Sequence, residues 1–142
     1  MLKKRHHSRK LALQSLYIAE FRNRNGIEKD ENYKLEVQDG ENKEDIKAYA
    51  NYLVDGVEEN KEQIDSIIST YSLNRKVDDI DLVDLSILRL SVFSILFDDS
   101  LHPSIIIDEA VKLSQEFSQS NNYKFINGVL DSFVKAREKD KV

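Results

Sequence analysis

Acidic pairs such as Asp78-Asp79, Asp98-Asp99 and Asp108-Glu109 are residues whose types could do chemistry. Adjacent carboxylates can share a divalent cation or divide acid and base roles in hydrolysis. Each pair falls at the expected start or end of a helix, where acids complement the helix dipole, and we read them as caps and solvated charges. The histidines do no better. His6 and His7 are neighbours and would point apart on a helix, and His102 precedes the sole proline. There is no glycine-rich phosphate loop, no nucleophile elbow and no paired histidine at metal-binding spacing. The reading is a protein without a catalytic set, a metal or a cofactor.

Binding chemistry is better represented. Lys3, Lys4, Arg5, Arg9 and Lys10 stand among the first ten residues with no acid between them, and without them the formal charge of −5 becomes −10. An acidic body with one basic edge can hold a polyanion only along that edge. The second feature is Asn122-Tyr123-Lys124-Phe125-Ile126-Asn127-Gly128-Val129-Leu130-Asp131. A helix start here offers backbone N–H groups and a lysine suited to phosphate, beside aromatic rings that can stack on an unpaired base. Gly128 inside an apolar helix costs about 1 kcal/mol relative to alanine, and is expected where another backbone approaches closely.

Helices must position these residues. Asp81 to Phe97 is apolar on nearly every helical face and contains no Gly or Pro. Such a helix has to be surrounded, and its acidic ends with Arg89, Ser91 and Ser94 inside it favour a protein core over a membrane. Ser8 to Phe21, Asp45 to Glu59, Asn60 to Tyr71, Pro103 to Phe117 and Tyr123 to about Lys139 show amphipathic stripes that suit wrapping it. The stripe after Pro103 is Ile106, Ala110, Val111, Ser114 and Phe117. Asn60 with Gln63 reads as a capping box. Residues 22–45 lose the period, are polar and acid-rich, and read as a flexible connection. Within it Tyr33, Leu35 and Val37 could form a short docked piece, and Asn25-Gly26 and Asp39-Gly40 are turn signals.

The expected fold is all-α: one domain over residues 1–142, with six to seven helices in two packed sub-bundles around the central apolar helix. No cysteine is present, which fits a reducing compartment. No hydrophobic signal segment follows the basic start, so the expectation is a cytoplasmic protein with no membrane contact.

The chain resembles the NusB family of bacterial transcription antitermination factors. The resemblance rests on Arg9 through Leu16-Tyr17 with Gln14, on Val83-Asp84 through Ile87-Leu88-Arg89, on Ile107 to Leu113, and on Lys124 to Asp131. It implies a non-catalytic protein that pairs with a small-subunit ribosomal protein, NusE. Together they hold boxA-type single-stranded RNA on RNA polymerase, mainly during ribosomal RNA transcription. By position it puts Lys3, Lys4, Arg5, Arg9, Gln14, Tyr17, Lys124 and Phe125 along the RNA and Asp84 at the partner surface. Asn127 and Gly128 match the signature as structural residues. On this reading Asp84 is exposed at the leading edge of the central helix and presents its acid to the partner. Departures from the pattern are His6-His7 among the cations, Asn121 where an acid is common, and Asp108 where asparagine is typical. Monomer and homodimer both stay open. The alternatives are an RNA-binding module related to ribosomal RNA methyltransferases and a purely structural interaction module.

Overall fold

Leu82–Phe97 forms α4, and every residue from Asp84 to Ile95 in it is buried. A helix dry on all sides needs neighbours on all sides. In the computed structural model these are α1 (Leu2–Arg24), α2 (Lys43–Glu59), α3 (Lys61–Tyr71), α5 (Pro103–Phe117) and α6 (Asn122–Asp140), all of which touch α4. The structure describes residues 2–28, 37, 40 and 42–140, with side chains from Arg5 onward in α1. Among the described residues all regular structure is helical, with one 3-10 turn at Val77–Asp79.

α1 packs most extensively on α2, and α5 on α6, while α3 lies on α4 and reaches α6. One apolar core runs through the whole arrangement. Leu16 of α1, Leu53 of α2, Ile68 of α3, Leu113 of α5 and Leu130 of α6 all join Leu85, Leu88 and Val92 of α4 in it. A smaller cluster of Leu11, Val37, Ile46 and Ala50 closes the outer side of α1 and α2. Val37 is thus docked as its alternation suggested; Tyr33 and Leu35 lie outside the described residues.

The polar residues of α4 are satisfied without water. Ser86, Ser91 and Ser94 each donate to the carbonyl four residues back, at 2.8, 2.8 and 3.0 Å. Arg89 makes a two-pronged contact with Asp65 of α3, both bonds at 2.8 Å, and meets Glu20 of α1 at 3.1 Å. A guanidinium fork matched to a carboxylate is the arrangement that makes a buried arginine tolerable. The same Glu20 also receives Arg24 and Lys61, so one ion cluster pins three helices together.

Several local expectations are corrected. The basic start is helix from Leu2, earlier than the stripe from Ser8 indicates. Asn60 makes no side-chain cap to α3; its amide donates to the Gly56 carbonyl at 2.8 Å, ending α2 instead. Phe117 does not point inward but is 38% exposed. The glycine at a close approach is Gly56, where a Cβ would stand 2.2 Å from the Phe93 ring, whereas a Cβ on Gly128 would meet nothing within 4 Å. Gly128 and Asn127 face solvent, so neither holds the fold through contacts of its own side.

Candidate nucleic-acid interface

The N-terminal face of α1 is less available than its composition promises. Helical spacing puts His6 and Lys10 one turn apart on the side facing α5. There His6 Nδ1 lies 2.6 Å from Glu109 Oε2, and Lys10 Nζ lies 2.6 Å from Glu116. Arg9 is 2% exposed, and its Nη2 reaches Tyr49 Oη at 3.4 Å while Nη1 has no hydrogen-bond partner. The expectation that Arg9 lies open along an RNA is therefore corrected: the 3.6-residue period turns it toward α2. Arg5 is half-buried, its guanidinium carbon 3.6 Å over the Tyr49 ring centroid. The side chains of Lys3 and Lys4 lie outside the described residues. Sequence reading missed the acids of α5 that face His6 and Lys10, because nothing in a linear charge pattern says which helices become neighbours.

Farther along α1, Gln14 is exposed and Tyr17 is 37% exposed. Tyr17 stacks with Phe21, itself 44% exposed, at a ring separation of 6.3 Å. These rings share one face at a spacing of four, and the second of them was missed.

At the other site α6 begins at Asn122. Lys124 is exposed; Phe125 is half-buried against the core, with the Arg75 guanidinium 4.7 Å over its ring. Two backbone donors at this helix start are already used, Asn122 N–H by the Gln119 carbonyl and Lys124 N–H by the Asn121 carbonyl. The expected free N–H cradle is reduced accordingly, and the cation carries the attraction. Arg75 is the residue that sequence reading overlooked, since it lies in the irregular stretch after α3.

Asp84 requires the largest correction. It is 4% exposed, and its carboxylate accepts from Ser118 Oγ at 2.7 Å and Asn122 Nδ2 at 3.0 Å. It faces inward because the apolar circumference of α4 is covered from its first turn. Burial pushes its carboxyl above the usual range, helped by the charge of Asp81, against the bonds from Ser118 and Asn122 and the charge of Arg75. It fixes the α5–α6 connection rather than presenting a surface acid. Sequence reading had the residue and not its environment.

The chain and its fold have counterparts among known proteins. The family model for the NusB family matches residues 6–135. The transcription antitermination protein NusB of Leptospira biflexa is 39% identical over 131 residues, covering 92% of this chain and 91% of that one. The fold is similar to that of T. maritima NusB, with a TM-score of 0.76 at 28% identity over 97% of both chains. It is also similar to a crystal structure of the antitermination factors NusB and NusE in complex with dsRNA. That likeness has a TM-score of 0.71 at 26% identity, covering 96% of this chain and 99% of that one. The chain belongs to the NusB family.

Proposed function

We propose that this protein is a non-catalytic transcription antitermination factor of the cytoplasm. On this proposal it binds boxA-type single-stranded RNA together with the ribosomal protein NusE, within the antitermination complex on RNA polymerase. The observation that carries the reading is the similarity, over nearly the whole chain, to antitermination factors including one complexed with NusE and RNA. The single domain over residues 1–142 is part of the same proposal.

The geometry supports some of the assigned contacts more than others. Arg5, Gln14, Tyr17 and Lys124 have exposed or half-exposed side chains and are the proposed direct RNA contacts, with Lys3 and Lys4 assigned by sequence. Phe125 and Arg75 form a ring-and-guanidinium pair beside Lys124. Arg9 acts from beneath, against Tyr49. Asp84 serves the partner surface indirectly, by holding Ser118 and Asn122 in place ahead of Lys124. An acidic body with so few open cations binds RNA weakly by itself, and a partner raises affinity by joining two contacts.

The experiment is RNA binding by Lys124→Glu and Arg5→Glu, each with NusE present, followed by fluorescence anisotropy of a labelled boxA strand. Each charge reversal at a phosphate contact should weaken binding by roughly tenfold and flatten its salt dependence. Unchanged binding in both variants, with folding intact, would remove these residues from the RNA path.

A further inference from the structure

A row of aromatic rings runs from α2 to the last residue of α4, and nothing assigned above uses its outer part. Tyr49 and Tyr52 of α2 lie 5.8 Å apart, Tyr52 and Phe93 of α4 5.5 Å apart, and Phe93 and Phe97 5.3 Å apart. The inner rings, Tyr49 and Phe93, are buried at 7% and 3% exposure, whereas Tyr52 and Phe97 are 47% and 43% exposed. Gly56 leaves room for the Phe93 ring against α2, and Phe93 in turn touches Tyr52 on one side and Phe97, one helical turn on, on the other.

The inner end of the row shows what chemistry the row accepts. The Arg5 guanidinium covers the Tyr49 face at 3.6 Å, and the Tyr49 hydroxyl donates to the Asp98 carboxylate. Ring face, guanidinium and carboxylate thus form one unit inside the molecule. The outer end offers two of the three parts, the half-exposed Tyr52 ring and the Asp99 carboxylate; Asp98 is already engaged by Tyr49 and Ser100, and the charges of both acids bear on the Tyr52 hydroxyl. Asp99 is exposed, and the outward side of α2 continues with exposed Asp55, Glu58 and Glu59.

We propose that the Tyr52–Phe97 face, rimmed by Asp98 and Asp99, is a docking site for an arginine-bearing segment of a protein partner, separate from the RNA-binding residues. Charge decides the class of occupant. A phosphate backbone would be repelled by the carboxylates around these rings, so the exposed aromatics are poor candidates for base stacking. A guanidinium gains both from the ring face and from a two-pronged carboxylate contact, which a lysine ammonium cannot reproduce. The face presents two exposed rings on either side of the buried Phe93 ring, with an exposed acid at its rim, the composition of a protein contact centre.

The test uses the full chain, isotopically labelled, in NMR titrations with a short peptide of alternating arginine and glycine. The same peptide with lysine for arginine and a short uridine oligonucleotide are the comparisons. The expected result is amide shifts centred on Tyr52, Phe97 and Asp99 with the arginine peptide and weaker shifts with the lysine peptide. Tyr52→Ala should lower the apparent affinity about two- to fivefold, in line with one exposed cation–π contact, and Asp99→Asn by about the same factor, in line with one exposed ion pair. Asp99→Asn alters an exposed side chain, so it remains interpretable if Tyr52→Ala disturbs the ring row. Equal response to both peptides, with shifts spread over Asp55, Glu58 and Glu59, would overturn the proposal in favour of a general acidic field. Shifts at Tyr52 and Phe97 produced by the oligonucleotide instead would overturn it in favour of RNA stacking.

Discussion

The carboxylate of Asp84 accepts a hydrogen bond from the side-chain amide of Asn122 at 3.0 Å, tying the first turn of α4 to the first residue of α6. Ser118 donates to the other carboxylate oxygen, so the α5–α6 connection closes around one buried acid. Asp84→Ala should lower stability by about 1–3 kcal/mol, the cost of leaving these donors without an acceptor. Urea unfolding followed by circular dichroism measures it. Asp84→Lys should cost more, because it adds an unpaired cation to the same buried position; a variant as stable as the wild type would show that the site opens to solvent.

Glu20 and Asp84 should respond to pH with opposite signs. Burial raises the Glu20 carboxyl, but Arg89, Lys61 and Arg24 outweigh it and hold the group below its usual range. The resulting stability is present above the unfolded value of about 4.3 and lost as pH falls through the lower folded value. Asp84, raised in the fold, gives its contribution below the unfolded value and loses it as pH rises through the folded one. Glu20→Gln should therefore flatten the acid limb of stability against pH and cost about 1.5–3 kcal/mol at neutral pH through the lost charged hydrogen bonds. Arg89→Met, which takes the guanidinium from Asp65 and leaves Glu20 with Arg24 and Lys61 alone, should cost about 3–5 kcal/mol. Chemical unfolding at a series of pH values checks both.

Two glycines should behave in opposite ways. At Gly56 a methyl group would enter the Phe93 ring at 2.2 Å, and Gly56→Ala should destabilise by about 1–3 kcal/mol through overpacking. At Gly128 the added methyl meets open space, and Gly128→Ala should stabilise by up to about 1 kcal/mol through helix propensity. Thermal unfolding of the pair reads the contrast directly. A loss of stability at Gly128 would show a constraint that the helix does not account for.

The central helix was legible because its hydropathy has only one soluble solution, and Leu88 is accordingly fully buried. Leu88→Ala should cost about 2–5 kcal/mol. The amphipathic stripes located the other helices to within a few residues at most ends, with α1 the exception, since its cations hid the helical start. What the sequence concealed was pairing between helices. Nothing local to Arg9 says that Tyr49 will cover it, and nothing local to His6 or Lys10 says that Glu109 and Glu116 will face them. Burial of Asp84 was hidden for the same reason: its partners Ser118 and Asn122 are more than thirty residues away. The Lys124 block was found by its unusual residue order, whereas Arg75, which completes it in space, lies in a stretch without period.

The most direct test of the account is the binding of a labelled boxA strand and a scrambled strand, each with and without NusE, at two salt concentrations. The account predicts weak, nearly sequence-independent binding by the protein alone. With NusE, binding should be tighter by about tenfold or more for boxA over the scramble, and it should weaken as salt rises. Equal binding of both strands with NusE present, or affinity for boxA that NusE does not change, would contradict it.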